Sequence, residues 1–159
     1  MGIYLNPENV DFQEVLNSKI YVDKSELIQY TNSVLRTIQK YICVSRPRRF
    51  GKSMAANMLT AYYSRGCDSR ELFQGLKIAT HPDFEKHLNQ YNVIHLNMRD
   101  YLTESENMKQ LIQFVEDDLL DELQQEFSDF RMPRRKTLVK VLEQAFAQYK
   151  IPFVFIIDE

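Results

Sequence analysis

Apolar residues recur along this chain in two spacings. Three short runs, "YICVS" (41–45), "NVIHLNM" (92–98) and "FVFII" (153–157), are apolar nearly throughout. Continuous runs of that length are what strands of a parallel sheet carry, because both faces of such a sheet are covered. Elsewhere the period is helical. "VDKSELIQYTNSV" opens with Asp23 and Glu26 in a capping pattern and repeats Leu27, Ile28, Thr31 and Val34. Beyond the glycine of "FGKS", Met54, Ala55, Met58, Leu59 and Tyr62 share a helical face until Gly66 supplies a stop. "SRELFQGL" and "HPDFEKHLNQY" predict two short helices. The stretch from Thr103 to Phe127 predicts the longest one, with a Thr103–Glu106 capping box, and "RRKTLVKVLEQAFAQY" predicts one more. Strand, helix, small helices, strand, two helices, strand is the order of an α/β domain whose parallel sheet is wound by right-handed crossovers and flanked by helices.

Composition narrows what the domain does. With 159 residues, 44% of them hydrophobic, the chain can build one real core. A net charge of −2 excludes a molecule whose whole surface is a nucleic-acid or acidic-lipid footprint, so any basic site must be local. Cys43 and Cys67 lack partners at metal-ligand spacing, and His81, His87 and His95 are scattered, so neither a disulfide framework nor a zinc site is expected. "FVFII" is too short to span a bilayer, the N-terminus has no signal-peptide pattern, and Asn6 stands where a myristoylation signal needs Ser or Thr. A cytoplasmic protein is the expectation. The acidic residues of "VEDDLLDEL" read as the solvated face of a helix.

Ligands of parallel α/β sheets sit beyond the carboxyl ends of the strands, and two strand ends here carry phosphate chemistry. After "YICVS" the chain reads Arg46, Pro47, Arg48, Arg49, Phe50, Gly51, Lys52, Ser53, Met54. Gly51 lets backbone amides turn inward, Lys52 places a cation on the outer phosphates, Ser53 is a magnesium ligand, and the new helix aims its positive end at the anion. After "FVFII", Asp158 is placed to hold the same metal and Glu159 to polarise a water as the catalytic base. The full pattern G-x-x-x-x-G-K-[ST] would have glycine at position 46; Arg46 departs from it, and Pro47, with its fixed φ, is a second way to bend the chain there. Arg48 and Arg49 either touch phosphate or stack on a base, or are solvated or paired with surface acids. Asn97, Arg99 and Asp100 follow the second strand at the same sheet edge, either near the metal shell or as ordinary loop surface.

"YVDKSELI", "YICVSRPRRFGKSMAANML" and "FVFIIDE" together resemble a bacterial AAA-ATPase-like family whose phosphate loop reads R-P-R-R-F-G-K-S, so that arginine at position 46 is that family's usual residue. The likeness spans residues 1 to 159. It implies a P-loop NTPase-type fold, ATP and Mg2+ as cofactors, Lys52 and Ser53 in the Walker A loop, Asp158 and Glu159 as the Walker B pair, and Tyr21 and Asp23 beside the adenine. In that family a further strand lies between the P-loop and Walker B strands, and a PD-(D/E)XK nuclease-like domain often follows. The resemblance thus implies that this chain is the N-terminal part of the ATPase domain, with a gap in its sheet that later chain, another pairing or a partner protein would close. Nucleic acid as a partner enters only through the nuclease-like domain. The expected function is an ATP- and magnesium-binding ATPase core; the alternative is a nucleotide-binding or interaction module without turnover, favoured by the lack of a sensor residue and arginine finger.

Overall fold

The computed structural model describes residues 2–47, 49–129, 133–134 and 137–158. The expectations for Arg48 and Glu159 therefore lie outside the described residues. The first half of the chain is helical: α1 (Val10–Leu16), α2 (Glu26–Val34), α3 (Lys52–Tyr63), α4 (Arg70–Phe73) and α5 (Phe84–His87), with a 3₁₀ turn at Lys77–Thr80 before α5. Strand β1 (Asn92–Asn97) is followed by α6 (Met98–Glu104), α7 (Met108–Glu126) and α8 (Leu138–Tyr149), and then by β2 (Phe153–Asp158). The strands pair in parallel, from Asn92 opposite Phe153 to Asn97 opposite Asp158. A parallel pair needs a crossover, and α6 to α8 provide it. The α/β class, the parallel pairing and the flanking helices are those the apolar pattern predicts.

Because side chains alternate across a strand, β1 feeds two cores. Val93 joins Ile156 of β2 in a core with Phe12, Ile28, Met58, Tyr62 and Phe73. Ile94 and Leu96 face the other way, into a core closed by Leu111, Leu119 and Leu123 of α7 and Val141 and Ala145 of α8. The N-terminal segment pairs with the edge of β1 away from β2: Leu5 bridges Ile94 antiparallel, and the Glu122 carboxylate accepts hydrogen bonds from the backbone N–H groups of Ile3, Tyr4 and Leu5.

The expected strand at 41–45 does not form. Residues 41–47 carry neither helix nor strand and are exposed. A strand exists only with a ladder partner, and this run pairs with neither strand: Ile42, Cys43 and Val44 stand across an open groove from the edge of β2 instead of in its ladder. Nor are both sheet faces fully covered: Phe155 and Ile157, on the same face as Phe153, remain 50% and 64% exposed.

Helix starts shift for local reasons. The long helix begins at Met108, because Asn107 Oδ1 accepts from Gln110 N at 3.0 Å while Thr103 is spent on the Asp100 carbonyl at the end of α6. Helix α2 begins at Glu26, with Asp23 Oδ1 accepting from Ser25 N at 2.8 Å one step earlier.

A buried polar network ties α2 to α3. Tyr63 Oη donates to Asn32 Oδ1 at 2.7 Å, Asn32 Nδ2 donates to Tyr62 Oη at 3.0 Å, and Tyr62 Oη donates to the Phe84 carbonyl at 2.8 Å. Burial raises both phenols, pushing Tyr62 up to about 12. Asn32→Ala strips a partner from each tyrosine and should cost about 1 to 3 kcal/mol, read as a lower urea midpoint with an unchanged m-value. An unchanged midpoint would show that the network holds nothing.

Candidate functional site

The chain enters α3 through two left-handed residues, Arg49 at φ 68° and Gly51 at φ 76°. Glycine adopts this region freely, whereas a residue with a Cβ pays about 1 kcal/mol or more for it, so Gly51 is required by the turn and Arg49 is held in it against strain. Helix α3 then starts at Lys52, with no side-chain cap and no acidic residue in its first turn. A helix of this kind presents its leading N–H groups and the positive end of its dipole to whatever lies beyond Gly51.

Two cavities flank that start. The larger, about 380 Å³, is the groove beside β2; Lys52 lines it together with Asp158, the apolar Ile42 and Val44 of the 41–45 stretch, and Ala55 and Leu59 of α3. The smaller, about 300 Å³, lies on the opposite side of the turn between Tyr21 and Val22 and the side chains of Phe50, Met54 and Met58. Lys24 also borders it, its Nζ donating to the Phe50 carbonyl at 2.9 Å.

The structure therefore brings Lys52 and Asp158 to one groove. Arg49, Phe50, Gly51 and Met54 line the apolar cavity. Arg46 and Pro47 are exposed ahead of the turn, and Ser53 is exposed in the first turn of α3; none of these three lines either cavity. Asn97 caps α6, its Oδ1 accepting from Arg99 N at 3.2 Å, and Arg99 and Asp100 are exposed in the first turn of that helix, not in a loop. Asp23 turns away from the cavities: its two oxygens take Ser25 N and Lys77 N, each at 2.8 Å; desolvation is the largest single influence and pushes its carboxyl up, but the hydrogen bonds from Ser25 and Lys77 and the Lys77 charge together outweigh it and leave the carboxyl below its usual range. Tyr21 does line the apolar cavity. Lys24 is the residue sequence reading passed over; the signal was the alternation in "DKS", where acceptors at 23 and 25 bind one side and leave the lysine between them facing the other.

Among the described residues no cluster of three or more His, Cys, Asp or Glu is placed to hold a metal, and no helix is long and apolar enough to cross a membrane. His95, on β1, is lowered from its ordinary value, chiefly by burial, with the carboxylates of Asp158 and Asp11 pulling partly the other way.

The parallel pair with its flanking helices makes this an α/β protein, in which the start of α3 and the carboxylate at the end of β2 open onto one groove. The chain belongs to the AAA-ATPase-like family: the model of that family, described as "Predicted AAA-ATPase", matches residues 10–159. No curated protein and no solved structure matches the chain.

The His95 shift makes a stability prediction. The folded chain holds His95 neutral where the unfolded chain takes up a proton near pH 6.5, so its contribution is fully present above about pH 6.5 and is lost as pH falls toward the lowered folded value. His87 is lowered as well, first by burial and then by Lys86, and acts in the same direction. Unfolding free energy should drop between about pH 7.5 and pH 5.5, and His95→Asn should drop less. An equal drop in the variant would remove His95 from the account.

Proposed function

We propose that this chain is the ATP- and magnesium-binding core of an AAA-ATPase-like ATPase. The observation that carries the reading is that Lys52, at the head of α3, and Asp158, at the end of β2, line the same groove. Membership in the family supports it.

The donor set suits the ligand. Left-handed Gly51 and the uncapped start of α3 offer N–H groups to phosphate oxygens, and Lys52 adds a charge. Magnesium prefers one or two protein oxygens completed by phosphate and water, so a site with few carboxylates is adequate; Ser53 and Asp158 would supply them. The phosphate cradle would run over Arg46, Pro47, Arg48, Arg49, Phe50, Gly51, Lys52, Ser53 and Met54. The apolar cavity beside Tyr21, Phe50 and Met58, at the small end of the range for ligand pockets, would take the base. Bound ATP supplies a transferable γ-phosphoryl group and its metal. The chain's own part is to orient that group, neutralise its charge through Lys52, and, through Glu159, accept a proton from the attacking water.

Calorimetry with magnesium and ATP tests the binding claim. Lys52→Ala should weaken affinity at least about tenfold, the loss of a charge-assisted contact worth about 1.5 to 3 kcal/mol; equal affinity in the two proteins rejects the site. Glu159→Gln in the full-length protein should still bind while phosphate release slows by about a hundredfold or more, the scale of general-base catalysis. Unchanged release would leave a nucleotide-binding module whose base lies elsewhere.

A further inference from the structure

The segment Tyr21–Ser25 is anchored on one side and reaches the turn before α3 on the other. Asp23 binds the backbone N–H groups of Ser25 and Lys77, and the fully buried Ser25 accepts from Ile78 N through Oγ at 3.2 Å. These bonds pin residues 23 and 25 to the 3₁₀ turn. Lys24, between them, extends to the opposite side, where its ammonium holds the Phe50 carbonyl at 2.9 Å and lies 3.3 Å from where a Cβ on Gly51 would stand.

That single contact fixes a whole peptide plane. In a trans peptide the carbonyl of residue 50 and the N–H of residue 51 point in opposite directions, so an oxygen tied to Lys24 sends the Gly51 N–H away from the Tyr21–Ser25 arm. If the plane were to flip, the carbonyl would turn its negative end to the side the N–H had served. Gly51 makes such a flip easy, since it lacks the Cβ that would resist it. We infer that Lys24 is a positioning residue for the phosphate loop, a latch that keeps the Phe50 carbonyl turned out and the Gly51 N–H turned toward an incoming phosphate. The inference rests on the nucleotide reading above and adds to it the element that sets the loop's shape before ligand arrives.

The test uses Lys24→Met and Lys24→Arg beside the unaltered protein and Lys52→Ala. Without nucleotide, Lys24→Met should shift the backbone amide resonance of Gly51 while those of Lys77 and Ile78 stay in place. Its affinity for ATP with magnesium should fall about tenfold, the lower end for a hydrogen bond to a charged group, with the thermal midpoint unchanged. Lys24→Arg, which keeps a charged donor of similar reach, should recover most of the affinity. An unmoved Gly51 resonance, or full affinity in Lys24→Met while Lys52→Ala has lost it, overturns the latch and leaves the nucleotide site standing. If the unaltered protein binds no ATP, the reading beneath it fails too, and the latch with it.

Discussion

The ladder between β1 and β2 is the constraint from which the rest follows. Its register ends with Asn97 beside Asp158, and its two faces divide the apolar residues into one core under α1 to α5 and another under α7 and α8. Helix α3 packs across both strands. Once that packing is set, the start of α3 and the end of β2 open onto shared space, and Lys52 and Asp158 line the same groove without any direct bond between them being needed.

The turn into α3 shows how little sequence is needed to shape the entrance to a helix. Left-handed Gly51 and Arg49 reverse the chain, the helix start carries no side-chain cap, and Lys24 arrives from a distant segment to hold the Phe50 carbonyl. Arg49 at φ 68° is one of several non-glycine residues held in the left-handed region, with Asn6, Arg36, Asn89 and Lys150. The same economy appears in the Tyr21–Ser25 arm, where neighbouring residues bind opposite sides: Asp23 and Ser25 are spent on fixing the arm, which frees Lys24 to act on the loop.

Much of the fold could be read from the sequence where one local signal sufficed. "NVIHLN" and "FVFIID" form strands, and glycine followed by lysine begins α3, because length, apolarity and a turn residue act together there. "YICVS" has the same apolarity, yet a strand is a property of a pair, and this stretch faces a groove instead of a ladder. Helix α1 escaped notice because it is only 7 residues long and no side chain caps it; Val10, Val15 and Leu16 show the spacing faintly, and the burial of Phe12 is visible only in three dimensions. The positions of Gly51 before α3, Lys52 at its head and Asp158 at the end of β2 were legible because each follows from a local strand or helix boundary. Lys24 had only the faint signal of the alternation in "DKS", and that it meets Phe50 together with Tyr21 and Met58 around one cavity depends on which surfaces pack together.

Amide hydrogen exchange, followed with and without magnesium and a non-hydrolysable ATP analogue, tests the shared groove most directly. The account predicts that residues 49–56 and 154–158, which meet only in the folded groove, slow together on adding nucleotide while α7 and α8 are unchanged. Protection confined to α7 and α8, or no change at both segments with the analogue at millimolar concentration, would contradict it.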